Sequence, residues 1–271
     1  MSLSDRDHTL VMGVLNVTPD SFSDGGRFMG TSVAIARGLE LSAQGADLVD
    51  VGGESTRPGA EPVSAEVEID RVVPVVEALA AAGAVVSIDT SKAEVAAAAI
   101  DAGARVVNDI TALSDAAMVG LVAEREVGVV LMHMQGEPRT MQESPQYDDV
   151  VESVAGALDV AATAAIDAGV RPESICVDPG IGFGKNLSHN LDLLGLGVSR
   201  LAASRFPVLV GASRKSFIAG ILGPIEPDER DTASAAAHVL AIAAGASIIR
   251  SHNVVMALRT ARVADAIVRG L

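Results

Sequence analysis

Eight short apolar runs in this chain each end in residues able to do chemistry. In order they end at Asn16, Asp50 through Glu54, Asp89, Asn108–Asp109, His133, Asp178, Ser213–Arg214–Lys215 and Arg250–Ser251–His252. Asn and Asp also cap helices that follow strands, which accounts for any one of them. It does not account for the set, because His133, Lys215, Arg250 and His252 are not cap residues. Asp89, Asn108 and Asp178 supply acceptors and Asn108 adds donors, a set that fits a polar heterocycle with amino and lactam edges. Arg57, Lys215 and Arg250 are three cations in a chain of net charge −15, which points to an anionic group on the substrate. Arg clamps a phosphate or carboxylate through two parallel bonds, and Lys acts as a point charge. For Lys215 the alternative is a solvated surface lysine.

Two loops look specialised. NVTPDSFSDGGRF at 16–28 holds Asn16, Asp20, Asp24 and a Gly25–Gly26 pair, which suits a lid that closes over substrate. Its Asn and Asp oxygens also suit Mg²⁺, and an Asp-rich turn is the plainer alternative. GGESTRPGAEPVS at 52–64 sets Arg57 beside Pro58, a cation on a stiffened backbone. Phe22, Phe183 and Phe217 fall in or beside such loops, where they could stack on a flat ring or simply pack. GIGFGK at 180–185 is not a phosphate loop, because Pro179 and Asn186 stand where a Gly and a hydroxyl are needed. The five His residues lack HExxH spacing.

The elements that must position these residues repeat one phrase: a helical pattern, a Gly-containing stop, a short apolar run, then a polar residue. The runs lie at 10–16, 45–53, 83–90, 103–110, 128–133, 174–180, 206–213 and 245–252. They are nearly continuous in Val, Ile and Leu, as parallel strands covered on both faces must be. Amphipathic segments at 31–44, 64–82, 92–102, 115–126, 147–168, 188–204, 231–244 and 254–270 read as helices. Eight βα units in 271 residues predict an α/β fold, a single (β/α)₈ TIM barrel over 1–271 with residues 1–9 as an N-terminal extension. An open doubly wound sheet is the alternative. The long first, second, fifth and seventh βα loops then crown the C-terminal face, where active sites sit.

Composition narrows the partners. Thirty-five acidic against twenty basic residues argue against nucleic acid, whose binders need a positive footprint. The one cysteine, Cys176, excludes an internal disulfide framework and reads as a small buried hydrophobe. No signal-peptide pattern opens MSLSDRDHTL and no apolar run approaches a bilayer span, so the expectation is a cytoplasmic protein with no membrane partner. Aromatics are only 2% of residues, so the core must be Ala, Val, Leu and Ile.

The strings NVTPDSFSDGG, DVGGESTRPGA, SIDT, VND, MHMQGEPRTMQ, DPGIGFGK, GASRKSF and RSHNV, over about residues 10 to 270, resemble those of bacterial dihydropteroate synthases in the same order. The resemblance implies a folate-pathway transferase, a TIM barrel and usually a homodimer. Such an enzyme joins 6-hydroxymethyl-7,8-dihydropterin diphosphate to 4-aminobenzoate and releases diphosphate with help from Mg²⁺. It implies a pterin slot of Asp89, Asn108, Asp178 and Lys215, with Phe183 and Arg250 at the ring and Thr56 a further contact. It implies a diphosphate site of Asn16, Arg57, Arg250 and His252, with Asn16 and Asp24 near the metal. Phe22, Pro58, Lys215 and Ser216 would line the aminobenzoate pocket, the sulfonamide site of the family. The catalytic set implied is Asp24, Arg57, Asp89, Asp178, Lys215 and Arg250. Ser251, within the substrate-binding string, stands where Val or Thr is more usual, and Glu137 where Thr is common; both lie beside matched residues. The rival readings are a methyltetrahydrofolate-binding methyltransferase barrel and a catalytically silent pterin-binding homologue.

Overall fold

A computed structural model describes residues 7–18, 27–56 and 59–270. The eight expected strands are present: β1 Leu10–Asn16, β2 Leu48–Gly52, β3 Val86–Asp89, β4 Val106–Asp109, β5 Gly128–Met132, β6 Ile175–Asp178, β7 Leu209–Val210 and β8 Ile248–Ser251. All pair in parallel in the order β6-β5-β4-β3-β2-β1-β8-β7. The two edges meet through a parallel bridge between Val177 and Val208, reinforced by the Val177 amide donating to the Pro207 carbonyl at 2.9 Å. The sheet is thus a closed barrel, and the open-sheet alternative is excluded.

The helices follow as α1 Arg27–Ala43, α2 Ala65–Ala81, α3 Ala93–Asp101, α4 Ala116–Arg125, α5 Val150–Asp167, α6 Leu187–Asp192, α7 Val198–Ala202, α8 Ser216–Leu222, α9 Asp231–Ala243 and α10 Val254–Asp265. The segment read as one helix at 188–204 is α6 and α7 joined by a π turn at Leu193–Gly197. The helix read from 147 starts at Val150, because the Asp149 carboxylate accepts from the amides of Val151 and Glu152. Helix α8, inside the seventh loop, was not expected; seven residues give too short a periodic pattern to read. Glycines 45, 83, 103, 169 and 245 sit in the left-handed region at helix ends as read, but after α4 Glu126 takes that conformation instead.

Strand side chains alternate between two apolar environments. Val11, Val49, Ile88, Val107, Leu131, Val177 and Ile249 face the helices, in the main core. Leu10, Met12, Leu48, Val106, Val130, Cys176, Leu209 and Ile248 form a separate cluster inside the barrel. Two residues further on, the same inward face becomes polar: Leu48 leads to Asp50, Val106 to Asn108, Cys176 to Asp178 and Ile248 to Arg250. The period of two that fills the barrel therefore also delivers the polar layer to its C-terminal mouth.

At the opposite end α10 returns to the start of β1. The buried Asp265 carboxylate accepts from the Thr9 amide at 2.8 Å and the Thr9 hydroxyl at 2.7 Å, and pairs with Arg269 Nε at 2.8 Å. Asp265→Ala should strip both Thr9 donors of their partner and destabilise the barrel by about 2–3 kcal/mol. Urea denaturation checks this as a lower midpoint at unchanged slope; an unmoved midpoint would show that the clasp contributes nothing.

Candidate active site

The polar layer at the mouth is organised by one guanidinium. Arg250 donates through Nε to Asp50 Oδ2 at 2.6 Å and through Nη2 to Asp89 Oδ2 at 2.7 Å. Asp50, fully buried, also accepts from Asn108 Nδ2 at 3.0 Å. One carboxylate thus fixes Arg250 and Asn108 together. Register explains the meeting: Gly52 lies opposite Asp89, and Asp89 opposite Asn108. Burial raises the Asp89 carboxyl from its ordinary 3.8 to about 7, with Arg250 opposing and Asp50 adding to the rise. Burial works against the charge on Arg250 too, but Asp50 and Asp89 hold it firmly protonated.

Across the mouth Asp178 is buried and accepts from the Gly180 amide at 2.7 Å through Oδ1, leaving Oδ2 without a hydrogen bond among the described residues. Burial raises its carboxyl too, against the pull of Lys215. Lys215 Nζ donates to the Ile181 carbonyl and lies 4.7 Å from the Phe183 ring centroid. Burial lowers Lys215 to about 8. Behind them Lys185, 2% exposed, donates to the carbonyls of Phe183 at 2.8 Å and His133 at 3.3 Å, with Nζ 3.2 Å from His133 Nδ1. Burial lowers Lys185 to about 7 and, with Lys185 beside it, His133 to about 4.

The fifth loop and the 179–186 segment are built onto each other. Tyr147 Oη donates to the Gly184 carbonyl at 2.9 Å and Gln142 Nε2 to the Gly182 carbonyl at 2.6 Å. Gly180 and Gly184 lie at positive φ with the His133 and Gln135 carbonyls where a Cβ would be, so only glycine fits. The second loop is pinned differently. Lys92 bridges Glu54 at 2.5 Å and the fully buried Glu68 at 2.7 Å, while Glu54 Oε1 accepts from the Val63 amide at 2.9 Å. Burial works against the charge of Lys92, but its bonds to Glu54 and Glu68 raise its pKa. Between these loops a cleft of about 770 Å³ opens, lined by Thr56, Lys92, Thr111, His133 and Arg139 among others and reaching the polar layer at Asp89 and Met132.

The remaining expected residues fall as follows. Asn16 ends β1 with Oδ1 facing Gly52, 3.8 Å from where a Cβ would stand. Ser216 is exposed on the first turn of α8. The His252 amide and Nδ1 lie 3.1 and 3.0 Å from Ser213 Oγ. The Ser251 hydroxyl is buried and bonded to the Asn253 backbone. Asp109, read as a strand-end site residue, is committed to the backbone of Thr111 and Leu113 and to the Thr111 hydroxyl. Phe217 packs in the helix-side core, so of the ring-stacking candidates described only Phe183 sits at the mouth. Phe22, Asp24, Arg57 and Pro58 lie outside the described residues.

Sequence reasoning passed over Lys185 and did not single out Asp50, the Lys92–Glu54–Glu68 bridge or the Arg214–Asp231 pair. The GFGK string marks Lys185 only as a lysine among glycines, and its partners are backbone carbonyls that no residue pattern announces. The assembled layer presents Asp50, Asp89 and Asp178 against Lys185, Lys215 and Arg250, with unspent acceptors at Asp89 Oδ1 and Asp178 Oδ2. It can hold a flat donor-rich heterocycle and steady a positive charge growing beside it.

Residues 12–252 match the family of pterin binding enzymes. The chain is 47% identical over 266 residues to the dihydropteroate synthase of Escherichia coli (strain K12), covering 97% of this chain and 93% of that one. The solved dihydropteroate synthase of Xanthomonas albilineans with 4-aminobenzoic acid superposes with a TM-score of 0.91 at 44% identity, covering 98% of this chain and 94% of that one. That of Burkholderia cenocepacia complexed with 7,8-dihydropteroate gives 0.86 at 42% identity, covering 96% and 91%.

Asp89 offers a pH test. Its folded value of about 7 exceeds its ordinary 3.8, so between them the folded chain binds a proton that the unfolded chain has released. The stability it contributes is full below about pH 4 and is lost as pH rises through about 7. Asn cannot ionise, so the Tm of Asp89→Asn should gain on that of the unaltered protein by about 5 °C between about pH 4.5 and about pH 7.5. Calorimetry decides it: a gap that stays constant with pH would show Asp89 ionised throughout.

Proposed function

The chain belongs to the pterin binding enzymes and, within them, to the dihydropteroate synthases, which are transferases; from that premise we propose that it joins 6-hydroxymethyl-7,8-dihydropterin diphosphate to 4-aminobenzoate by a dissociative displacement. The observation that carries this reading is the inward layer of Asp89, Asn108 and Asp178 with Lys215 and Arg250. Asp178 Oδ2 faces the ring's donor edge, Asn108 and Asp89 take further edge contacts, and Phe183 with Lys215 covers a face. Thr56, on the cleft wall, contacts the substrate from the second loop.

The bond from the pterin methylene to the diphosphate oxygen breaks ahead of attack, because an aminobenzoate nitrogen is a weak nucleophile. Asp89 and Asp178 steady the positive charge this leaves on the pterin. Arg250, whose Nη1 has no partner among the described residues, receives the departing diphosphate with Arg57 and His252. The nitrogen then closes on the methylene and releases its proton to water, so no base on the protein is needed. Phe22, Pro58, Lys215 and Ser216 hold the aminobenzoate. Asn16 presents an amide oxygen at the mouth, a hard donor of the kind Mg²⁺ takes beside phosphate oxygens and waters. Asn16 and Asp24 would hold Mg²⁺, which supplies charge neutralisation to the leaving group.

We also read the enzyme as a cytoplasmic homodimer. Leu196, Leu240, Val263 and Ile267 are 66%, 64%, 61% and 78% exposed. They lie on the π turn between α6 and α7, on α9, and on α10 and its extension; α9 packs against both of the others. Such an apolar stretch suits a second copy.

Purified protein should release diphosphate from the pterin substrate with Mg²⁺ only when 4-aminobenzoate is present, forming dihydropteroate in step. Tight pterin binding without turnover would instead make it a silent binder. Asp178→Asn puts a donor where the ring needs an acceptor and should weaken pterin binding about 10- to 100-fold by calorimetry; unchanged affinity would remove Asp178 from the slot. Leu240→Glu should shift a dimer toward monomer in sedimentation velocity, and a monomeric unaltered chain would sink the dimer.

A further inference from the structure

Lys215 and Ser216 follow β7, whereas Arg250 and His252 end β8 and follow it. In the function proposed above, on which this inference rests, the first pair serves the ring and aminobenzoate, and the second pair serves the diphosphate. The distance between them must match one substrate. What sets that distance lies outside the polar layer, on α9.

Arg214, immediately before Lys215, has φ +59°, a left-handed conformation that non-glycine residues take only when their surroundings impose it. Four bonds impose it here. Its amide donates to Ser234 Oγ at 2.9 Å, and its carbonyl accepts from Arg230 Nη1 at 3.0 Å. Its guanidinium makes a two-pronged pair with Asp231, Nε to Oδ1 at 2.7 Å and Nη2 to Oδ2 at 2.9 Å. The same Asp231 Oδ2 accepts from Asn253 Nδ2 at 2.8 Å. Asn253 follows His252 directly and caps α10 through Oδ1 to the Met256 amide at 3.1 Å. One carboxylate therefore grips the residue before Lys215 and the residue after His252. Arg214 holds the Asp231 carboxyl below its ordinary range, with Asn253 adding to the effect, so the grip stays charged at neutral pH.

We propose that Asp231 is a positioning residue: through Arg214 and Asn253 it fixes the ring-binding end of the seventh loop against the diphosphate-binding end of the eighth. Releasing it removes two of the four bonds that hold Arg214, which loosens Lys215 beside it, and leaves Asn253 free to carry His252 out of its register with Ser213. Asp89, Asn108 and Asp178 stand on β3, β4 and β6, which the grip does not touch.

Kinetics and calorimetry on Asp231→Ala test this. The kcat/KM for pterin diphosphate should fall about 10- to 100-fold and the KM for 4-aminobenzoate rise at least about threefold. Affinity for 6-hydroxymethylpterin should fall by less, about threefold to fivefold, because Lys215 covers one face of the ring while Asp89, Asn108 and Asp178 keep its edge. Asp231→Asn, keeping one acceptor, should be intermediate, and adding Arg214→Ala to Asp231→Ala should cost little more, since both release one grip. Should Asp231→Ala fail to fold, Asn253→Asp keeps the α10 cap but sets a like charge against Asp231. It should weaken inorganic diphosphate binding about fivefold or more while the chain still folds cooperatively, its Tm lowered by about 2–4 °C. Turnover within about twofold of the unaltered enzyme in folded Asp231→Ala, or an equal loss of hydroxymethylpterin affinity, would overturn the proposal. Unaltered enzyme that shows no aminobenzoate-dependent release would overturn the synthase reading; the diphosphate and hydroxymethylpterin affinities of Asn253→Asp would still decide the grip.

Discussion

The mouth of this barrel depends on the guanidinium of Arg250 held between Asp50 and Asp89. Burying charges costs several kcal/mol each unless they are paired and hydrogen-bonded. Here each partner comes from a different strand, and β1, β2 and β3 must all be in register for the pairing to close. Asp50 is the residue without slack. It accepts both Arg250 and Asn108 on one oxygen while buried completely, so a slip of one residue in β2 would point it at the helices and leave both donors stranded. The ion pairs are thus poor evidence of stability but good evidence of specificity: they select one register among those the Val-rich strands could otherwise adopt.

The loops are fixed by a different economy. The polar layer stands on strands, whereas the fifth loop and the 179–186 segment hold each other through the His133 carbonyl accepting from Lys185, the Gly184 carbonyl from Tyr147 and the Gly182 carbonyl from Gln142. The second loop hangs from Lys92, which must serve both Glu54 and the buried Glu68. In each case one long side chain satisfies groups on two segments, so the segments cannot shift independently. Strands thus carry the polar layer, and the loops around it are tied to one another rather than left independent.

This division also explains what the sequence could reveal. The barrel was legible because its strands, covered on both faces, are short unbroken apolar runs between glycine stops. Asp89, Asn108, Asp178 and Arg250 were legible because each stands at the polar end of a short apolar run, which in a barrel delivers it to the mouth. Arg214 with Asp231 and Lys92 with Glu54 and Glu68 were not, since their partners lie 17 to 38 residues away on faces that only the closed barrel brings together. Lys185 is harder still, because nothing in a sequence states which carbonyls will turn inward. Asp109 shows the converse: its residue type and its place at a strand end matched the site, yet it serves its own turn.

The layer is left incomplete in a particular way. Among the described residues Asp50 Oδ1 and Asp89 Oδ1 are buried without hydrogen bonds, and Asp178 Oδ2 takes none. In the proposed complex a ring entering this mouth must bring N–H donors for the oxygens there. A ring offering acceptors at that edge would leave those oxygens unpaired after water has been expelled, at about 1–3 kcal/mol for each. Selectivity for the donor edge would therefore arise, in the proposed function, from groups the described residues leave unsatisfied. In the proposed reaction, the positive charge that develops on the ring as its leaving group departs would fall beside carboxylates already oriented for it, which is where fixed charge accelerates a reaction rather than merely binding its substrate.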